Sequence, residues 1–129
     1  MKHMSTIETP EAPAAIGPYS QARIFGDLLF VSGQLPIDAN AGVIASTNAA
    51  EQMRQCLTNL EHIVKAAGCA MSNVLKTTVL VRDLSQFAEI NAAYAEFFAA
   101  PYPARTTFEA AALPKGALVE VDAIVSLRC

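Results

Sequence analysis

Charge is scarce in this chain. Only 16% of its 129 residues are charged, while 53% are hydrophobic, against about 25% charged in a typical soluble domain. Much of the apolar content is alanine, which adds little hydrophobic area per residue. Even so, so few charges have trouble covering a surface, and an oligomer is expected. No apolar run reaches the roughly 18 residues that a membrane span needs. Residues 1–15 contain no apolar core of a secretory signal. Met1 to Met4 reads as a leader with Met4 as the natural start, which leaves residues 5–129 as a single domain. A domain of this size buries roughly two thirds of its unfolded surface.

Histidine and cysteine are equally sparse, with two and three residues. His3 lies in the leader and His62 on the polar face of a helix, so neither a Ser-His-Asp nor a Cys-His arrangement can be built. No His or Cys stands at ligand spacing, so no metal site is expected. An odd number of cysteines without a secretory signal argues for a reducing, cytoplasmic setting rather than a disulfide framework. Each cysteine has a structural reading: Cys56 falls on an apolar helix stripe, Cys69 follows a helix-ending glycine, and Cys129 is the last residue. "GPYSQ" has one glycine and no Lys-Ser/Thr after it, so it is not a phosphate loop, and no dinucleotide fingerprint is present. Nine scattered basic residues against twelve acidic ones give a net charge of −3, which works against nucleic-acid binding.

What is present is regular patterning. "SQARIF" (20–25) and "LLFVS" (28–32) flank Gly26-Asp27 and predict a hairpin with a tight turn. From Thr47 to Ala67, apolar Ala49, Met53, Cys56, Leu57, Leu60, Ile63, Val64 and Ala67 recur at spacings of three and four. That is an amphipathic helix, with Thr47 as its N-cap and Gly68 at its end. "NVLKTTVLV" (73–81) predicts a strand. Asp83, with Gln86 as capping-box partner, opens a second helix whose stripe is Leu84, Phe87, Ile90, Asn91, Tyr94, Phe97 and Phe98. Two strands follow, roughly 105–111 and 118–127, joined through "LPKG". The order β-β-α-β-α-β-β predicts an α+β fold, one mixed sheet with both helices on one face. In the last strand Val119, Val121, Ala123 and Val125 suit the helices. Leu118, Glu120, Asp122 and Ile124 take the other face. An apolar face carrying two carboxylates suggests burial against another subunit around a polar pocket.

Few residues are left for chemistry: Arg105, several hydroxyls, and Glu120 with Asp122. Phe108 belongs toward the helices, so parity turns Arg105 and Thr107 to the opposite, pocket-bearing face, alongside Glu120. Arg105 is then a surface residue, half of a partly buried Arg105–Glu120 ion pair, or a receptor for an anion. For the last role a guanidinium fork is well suited, because it can grip a carboxylate through two parallel bonds.

The stretches "AAIGPYSQA", "LLFVSGQLP", "FAEINAAYAEFF" and "PARTTFEAAALPKGALVEVDAI" together resemble the reactive intermediate deaminase A (RidA, YjgF-like) family, in content and order, from about Ser5 to Leu127. The resemblance implies a chorismate-mutase-like fold and a homotrimer with a site in each cleft between subunits. It also implies hydrolysis of 2-imino acids (2-iminopropanoate, 2-iminobutanoate) to 2-keto acids and ammonia, without a cofactor. On that resemblance Arg105 holds the substrate carboxylate and Glu120 activates the attacking water. Tyr19, Ser32 and Gly33 line the pocket, Thr107 lies beside the arginine, and Asn91 supports the site from its helix. Many members carry cysteine at the position of Thr107, so a thiol nucleophile is not expected in this chain. The alternatives are a non-catalytic carboxylate-binding trimer and an RNA-directed activity.

Overall fold

The structure, a computed structural model, describes residues 5–129, so the leader expected at Met1 to Met4 lies outside the described residues. Six strands and two helices follow in the order β1 (Thr6–Ile7), β2 (Ala22–Phe25), β3 (Leu28–Gln34), α1 (Ala49–Ala66), β4 (Val74–Val81), α2 (Phe87–Ala95), β5 (Ala104–Glu109) and β6 (Val119–Ser126). They form one sheet with strand order β1-β2-β3-β6-β4-β5. All pairings are antiparallel except β4 with β5. The α+β architecture read from the sequence is therefore present. The parallel pair is what a strand–helix–strand crossover requires, with α2 as the crossing helix. The sequence reading missed β1, whose two residues are too few to show an alternation.

Local chemistry explains the element ends. The β2–β3 turn needs two residues, and Gly26 takes φ +58° there, a region that only glycine enters at no steric cost. Helix α1 is capped by Asn48 rather than Thr47: the Asn48 Oδ1 accepts from the Glu51 amide at 2.9 Å. It ends before Gly68, at φ +83°. Helix α2 is shorter than expected. The Asp83 carboxylate accepts from the Ser85 amide at 2.9 Å, closing a tight 3-10 turn over Leu84–Gln86. The regular helix begins only at Phe87, and Leu84 is turned off the stripe into solvent.

The core lies between the helices and one sheet face. Val119, Val121, Ala123 and Val125 of β6 are buried there with Leu29, Val31, Val79 and Val81, beneath Met53, Leu57, Leu60 and Ile63 of α1 and Ile90 of α2. Each large side chain contributes about 1.5–3 kcal/mol by leaving water. A one-residue slip of β6 would exchange its four core residues for Glu120 and Asp122. The valine alternation thus forces both carboxylates to the face that the helices do not cover. On that open face Phe25, Phe30 and Phe108 are substantially exposed.

One cysteine expectation is corrected. Cys69 and Cys129 form a disulfide across 60 residues, with Cα atoms 5.6 Å apart, leaving Cys56 free and buried. Strand β6 runs antiparallel to β4 with Val125 opposite Val74, so its end returns to the corner between α1 and β4 where Cys69 sits. Only the topology brings the two together. An odd cysteine count therefore does not argue for a reducing setting here.

Candidate functional site

The register of the sheet fixes where each candidate side chain points. Thr77 of β4 lies opposite Arg105 on β5 and Ala123 on β6, and Val79 lies opposite Thr107 and Val121. Residues paired across strands share a face, so Arg105 and Thr107 stand on the helix side. Leu80 pairs with Phe108 and Glu120, and Thr78 with Asp122, which places those on the open face. This reverses the orientation expected for β5. As the strand's largest apolar residue, Phe108 is the one that composition sends to the core. On an outer strand, however, α2 already supplies the aromatic filling, and what it meets is the cation. An Arg105–Glu120 pair within one chain is thereby excluded, since the sheet lies between them.

Three residues of α2 hold Arg105. Its Nη1 donates to the Asn91 Oδ1 at 2.7 Å. Its Cζ lies 4.8 Å from the centre of the Tyr94 ring and 5.3 Å from that of Phe87, within the roughly 6 Å at which a cation is drawn to an aromatic face. Among the described residues no hydrogen-bond partner occupies Nε or Nη2 and no acidic group pairs with the guanidinium. The Nε–Nη2 edge therefore offers two parallel N–H groups. Two residues further along β5, the Thr107 Oγ1 is buried with no partner among the described residues, and a buried hydroxyl left so is costly. Together these groups can receive a small anion.

Glu120 stands with a different set of residues. It lies against Gly33 in an irregular segment of β3, where the register with β6 shifts between Val31 and Gln34. A Cβ on Gly33 would overlap the Glu120 Oε2 and come within 2.9 Å of its Cδ. Burial raises the Glu120 carboxyl above the ordinary glutamate value, and the negative charge of Asp122 raises it further. Asp122 itself accepts from the Thr78 amide at 3.1 Å. The Ser32 Oγ donates to the Ser20 carbonyl at 2.5 Å, tying β3 to the loop that carries Tyr19. Tyr19, which is exposed, lines a depression with Gly33, Gln34 and Lys115.

The candidates thus fall into two halves on opposite faces: Arg105, Asn91 and Thr107 on one, and Glu120 with Gly33, Ser32 and Tyr19 on the other. Sequence reasoning missed the contributions of Phe87, Tyr94 and Lys115. The signal for the first two was there, in the 87, 91, 94 spacing with a polar Asn91 inside an apolar stripe. Lys115 gave none. It takes φ +58° in the turn before β6, a backbone state unusual for any residue but glycine.

Residues 9–127 match the family described as Endoribonuclease L-PSP. The RutC family protein y4sK of Sinorhizobium fredii is 59% identical over 121 residues, covering 94% of this chain and 96% of that protein. The 2-iminobutanoate/2-iminopropanoate deaminase of Bos taurus is 47% identical over 118 residues, 92% of this chain and 86% of that protein. The crystal structure of Escherichia coli TdcF with bound serine superposes with a TM-score of 0.90 at 41% identity, covering 94% of this chain and 97% of that one. The matches span more than nine-tenths of the chain, and the chain belongs to the Endoribonuclease L-PSP family, the reactive intermediate deaminase A group that its motifs resemble.

Proposed function

We propose that this protein hydrolyses 2-imino acids such as 2-iminopropanoate and 2-iminobutanoate to the 2-keto acid and ammonia, at a site completed by a second copy of the chain. The observation that carries the reading is the Arg105 guanidinium, anchored on Asn91 with its Nε–Nη2 edge unpartnered among the described residues. A relative's structure with bound serine and a relative named as a deaminase of this substrate class support it. The Arg105 half of one copy would face the Glu120 half of the next, since one sheet cannot present both faces to one ligand. Covering the exposed Phe25, Phe30 and Phe108 would favour the same contact.

A protonated imine carbon is already strongly electrophilic, so the barrier to be removed is small on the enzyme scale. Arg105 would fix the carboxylate and aim C2 at a water molecule. The Glu120 carboxylate would take a proton from that water as its oxygen bonds to C2, giving a tetrahedral amino alcohol. Return of the proton to nitrogen lets the C–N bond break with its electron pair leaving on ammonia. The Glu120 carboxylate, free again, takes the hydroxyl proton as the keto C=O forms. Water enters and ammonia leaves, and the sequence of steps uses no cofactor.

The direct test is an assay on freshly generated 2-iminopropanoate, following keto-acid release against the uncatalysed rate. Carboxylate binding without acceleration would leave a non-catalytic receptor and remove the enzyme. The family's description also names an RNA-directed activity, but nine scattered basic residues and a net charge of −3 offer no cationic track for a phosphate backbone. Tight RNA binding at about 0.15 M salt, with a steep salt dependence, would reverse that preference.

Two further outcomes are expected. Light scattering at micromolar concentration should give a homotrimer, and a monomer retaining full activity would show that one copy suffices. The kcat/KM profile, which reports groups of the free enzyme, should lose activity as pH falls through the raised Glu120 value. Asp122→Asn removes the second cause of that rise, so the acidic limb should move to lower pH. Burial, the first cause, remains and should keep the limb above the ordinary glutamate range. A limb unmoved by Asp122→Asn would mean that Glu120 does not govern it.

A further inference from the structure

We propose that Tyr94 and Phe87 are positioning residues that hold the Arg105 guanidinium in its receiving orientation before any carboxylate arrives; this rests on the receptor reading of Arg105 given above. Arg105 is exposed and belongs to the outer strand of the sheet. A long side chain in that place gains most freedom by extending into water. Instead it lies back across α2, over two aromatic rings and against one amide. The three holding residues occupy positions 87, 91 and 94, which share one side of a helix. Contacts at three points fix both the position of the guanidinium and the plane in which it lies.

Tyr94 is itself held in place. It is 6% exposed, and its hydroxyl shares a 2.7 Å hydrogen bond with the Thr77 Oγ1. Thr77 is fully buried on β4 and is the cross-strand partner of Arg105. Phe98 packs against the Tyr94 ring, with ring centres 4.7 Å apart and the planes tilted by 38°. Thr77 fixes the tip of Tyr94, Phe98 packs on its ring, and the ring carries the cation.

The consequence is preorganisation. Binding that immobilises a rotamer-rich side chain loses affinity by a factor of about 2 to 12, and a guanidinium already held avoids that loss. The experiment compares Tyr94→Leu, Tyr94→Phe and Phe87→Leu with the parent and with Arg105→Ala, using 2-oxobutanoate as the probe for calorimetry and 2-iminopropanoate for kinetics. A second readout is the rate of rotation about the Arg105 Nε–Cζ bond, from nitrogen-15 NMR of the ligand-free protein. Tyr94→Leu and Phe87→Leu should each raise KM and weaken 2-oxobutanoate by about 2- to 12-fold, change kcat less, and speed the rotation. Tyr94→Phe keeps the ring and should stay nearest the parent. Phe87 is only half-buried, so its variant carries the test if Tyr94→Leu fails to fold. Fast rotation in the parent, or Phe87→Leu with parental KM and rotation, overturns the proposal while Arg105→Ala still abolishes binding. Parental 2-oxobutanoate binding by Arg105→Ala would instead overturn the receptor reading, and the positioning role with it.

Discussion

Arg105→Lys is expected to lower kcat/KM on 2-iminopropanoate by about 10- to 150-fold while leaving the fold and the assembly intact. The variant loses one charge-assisted hydrogen bond, worth roughly 1.5–3 kcal/mol. Lysine keeps the positive charge but is a point donor, and it cannot make two parallel bonds to one carboxylate. It also forfeits the planar group that lies over Tyr94 and Phe87 and the 2.7 Å contact to Asn91. No acidic partner among the described residues would be left unpaired, because none pairs with Arg105. Stability should therefore change little, and the loss should fall on activity. Near-parental turnover would mean that any cation serves at this position, and the receptor reading would fall.

The same arginine shows where reading from sequence stops. The valine alternation of β6 and the apolar stripe of α1 are each long enough to fix a face, and both appear in the structure, although Gln52 and Asn59 are buried beside the stripe and Ala67 lies past the helix end. Those two elements determine the α+β architecture and send Glu120 to the open side. Strand β5 offers six residues, of which none is fully buried, so its parity rests on a guess about Phe108. That guess fails because an outer strand answers to the helix beside it, and α2 presents rings that accept a cation. Facing was therefore legible for Glu120 and not for Arg105. The consequence is large, since it separates the candidates into two halves. The Cys69–Cys129 pair is a similar case: nothing local in "GCAMS" or "SLRC" tells that β6 returns to the α1–β4 corner.

Gly33→Ala tests the other half through a contact that no local pattern reveals. The added methyl would fall on the Glu120 Oε2, with the Cδ 2.9 Å away. The obstacle is the end of a flexible side chain, so the molecule can yield by swinging the carboxylate aside. Gly33 does not occupy the left-handed region that favours glycine, so the backbone itself should accept alanine. The fold should persist with a melting temperature close to the parent's, while the Glu120 carboxylate is moved from its water. General-base catalysis typically contributes about 10²- to 10⁴-fold, and for so reactive an imine the lower end applies, giving a kcat reduced about 100-fold. Glu120→Gln should cost a similar factor, since it keeps the shape and removes the proton acceptor. The two losses should not add: if both act on one carboxylate, the double variant should be no worse than Glu120→Gln alone. Multiplicative losses in the double variant would show that Gly33 contributes by another route, through backbone contact with the ligand. An active Gly33→Ala would show that turnover does not depend on where the Glu120 carboxylate stands, and its assignment as the base would be wrong.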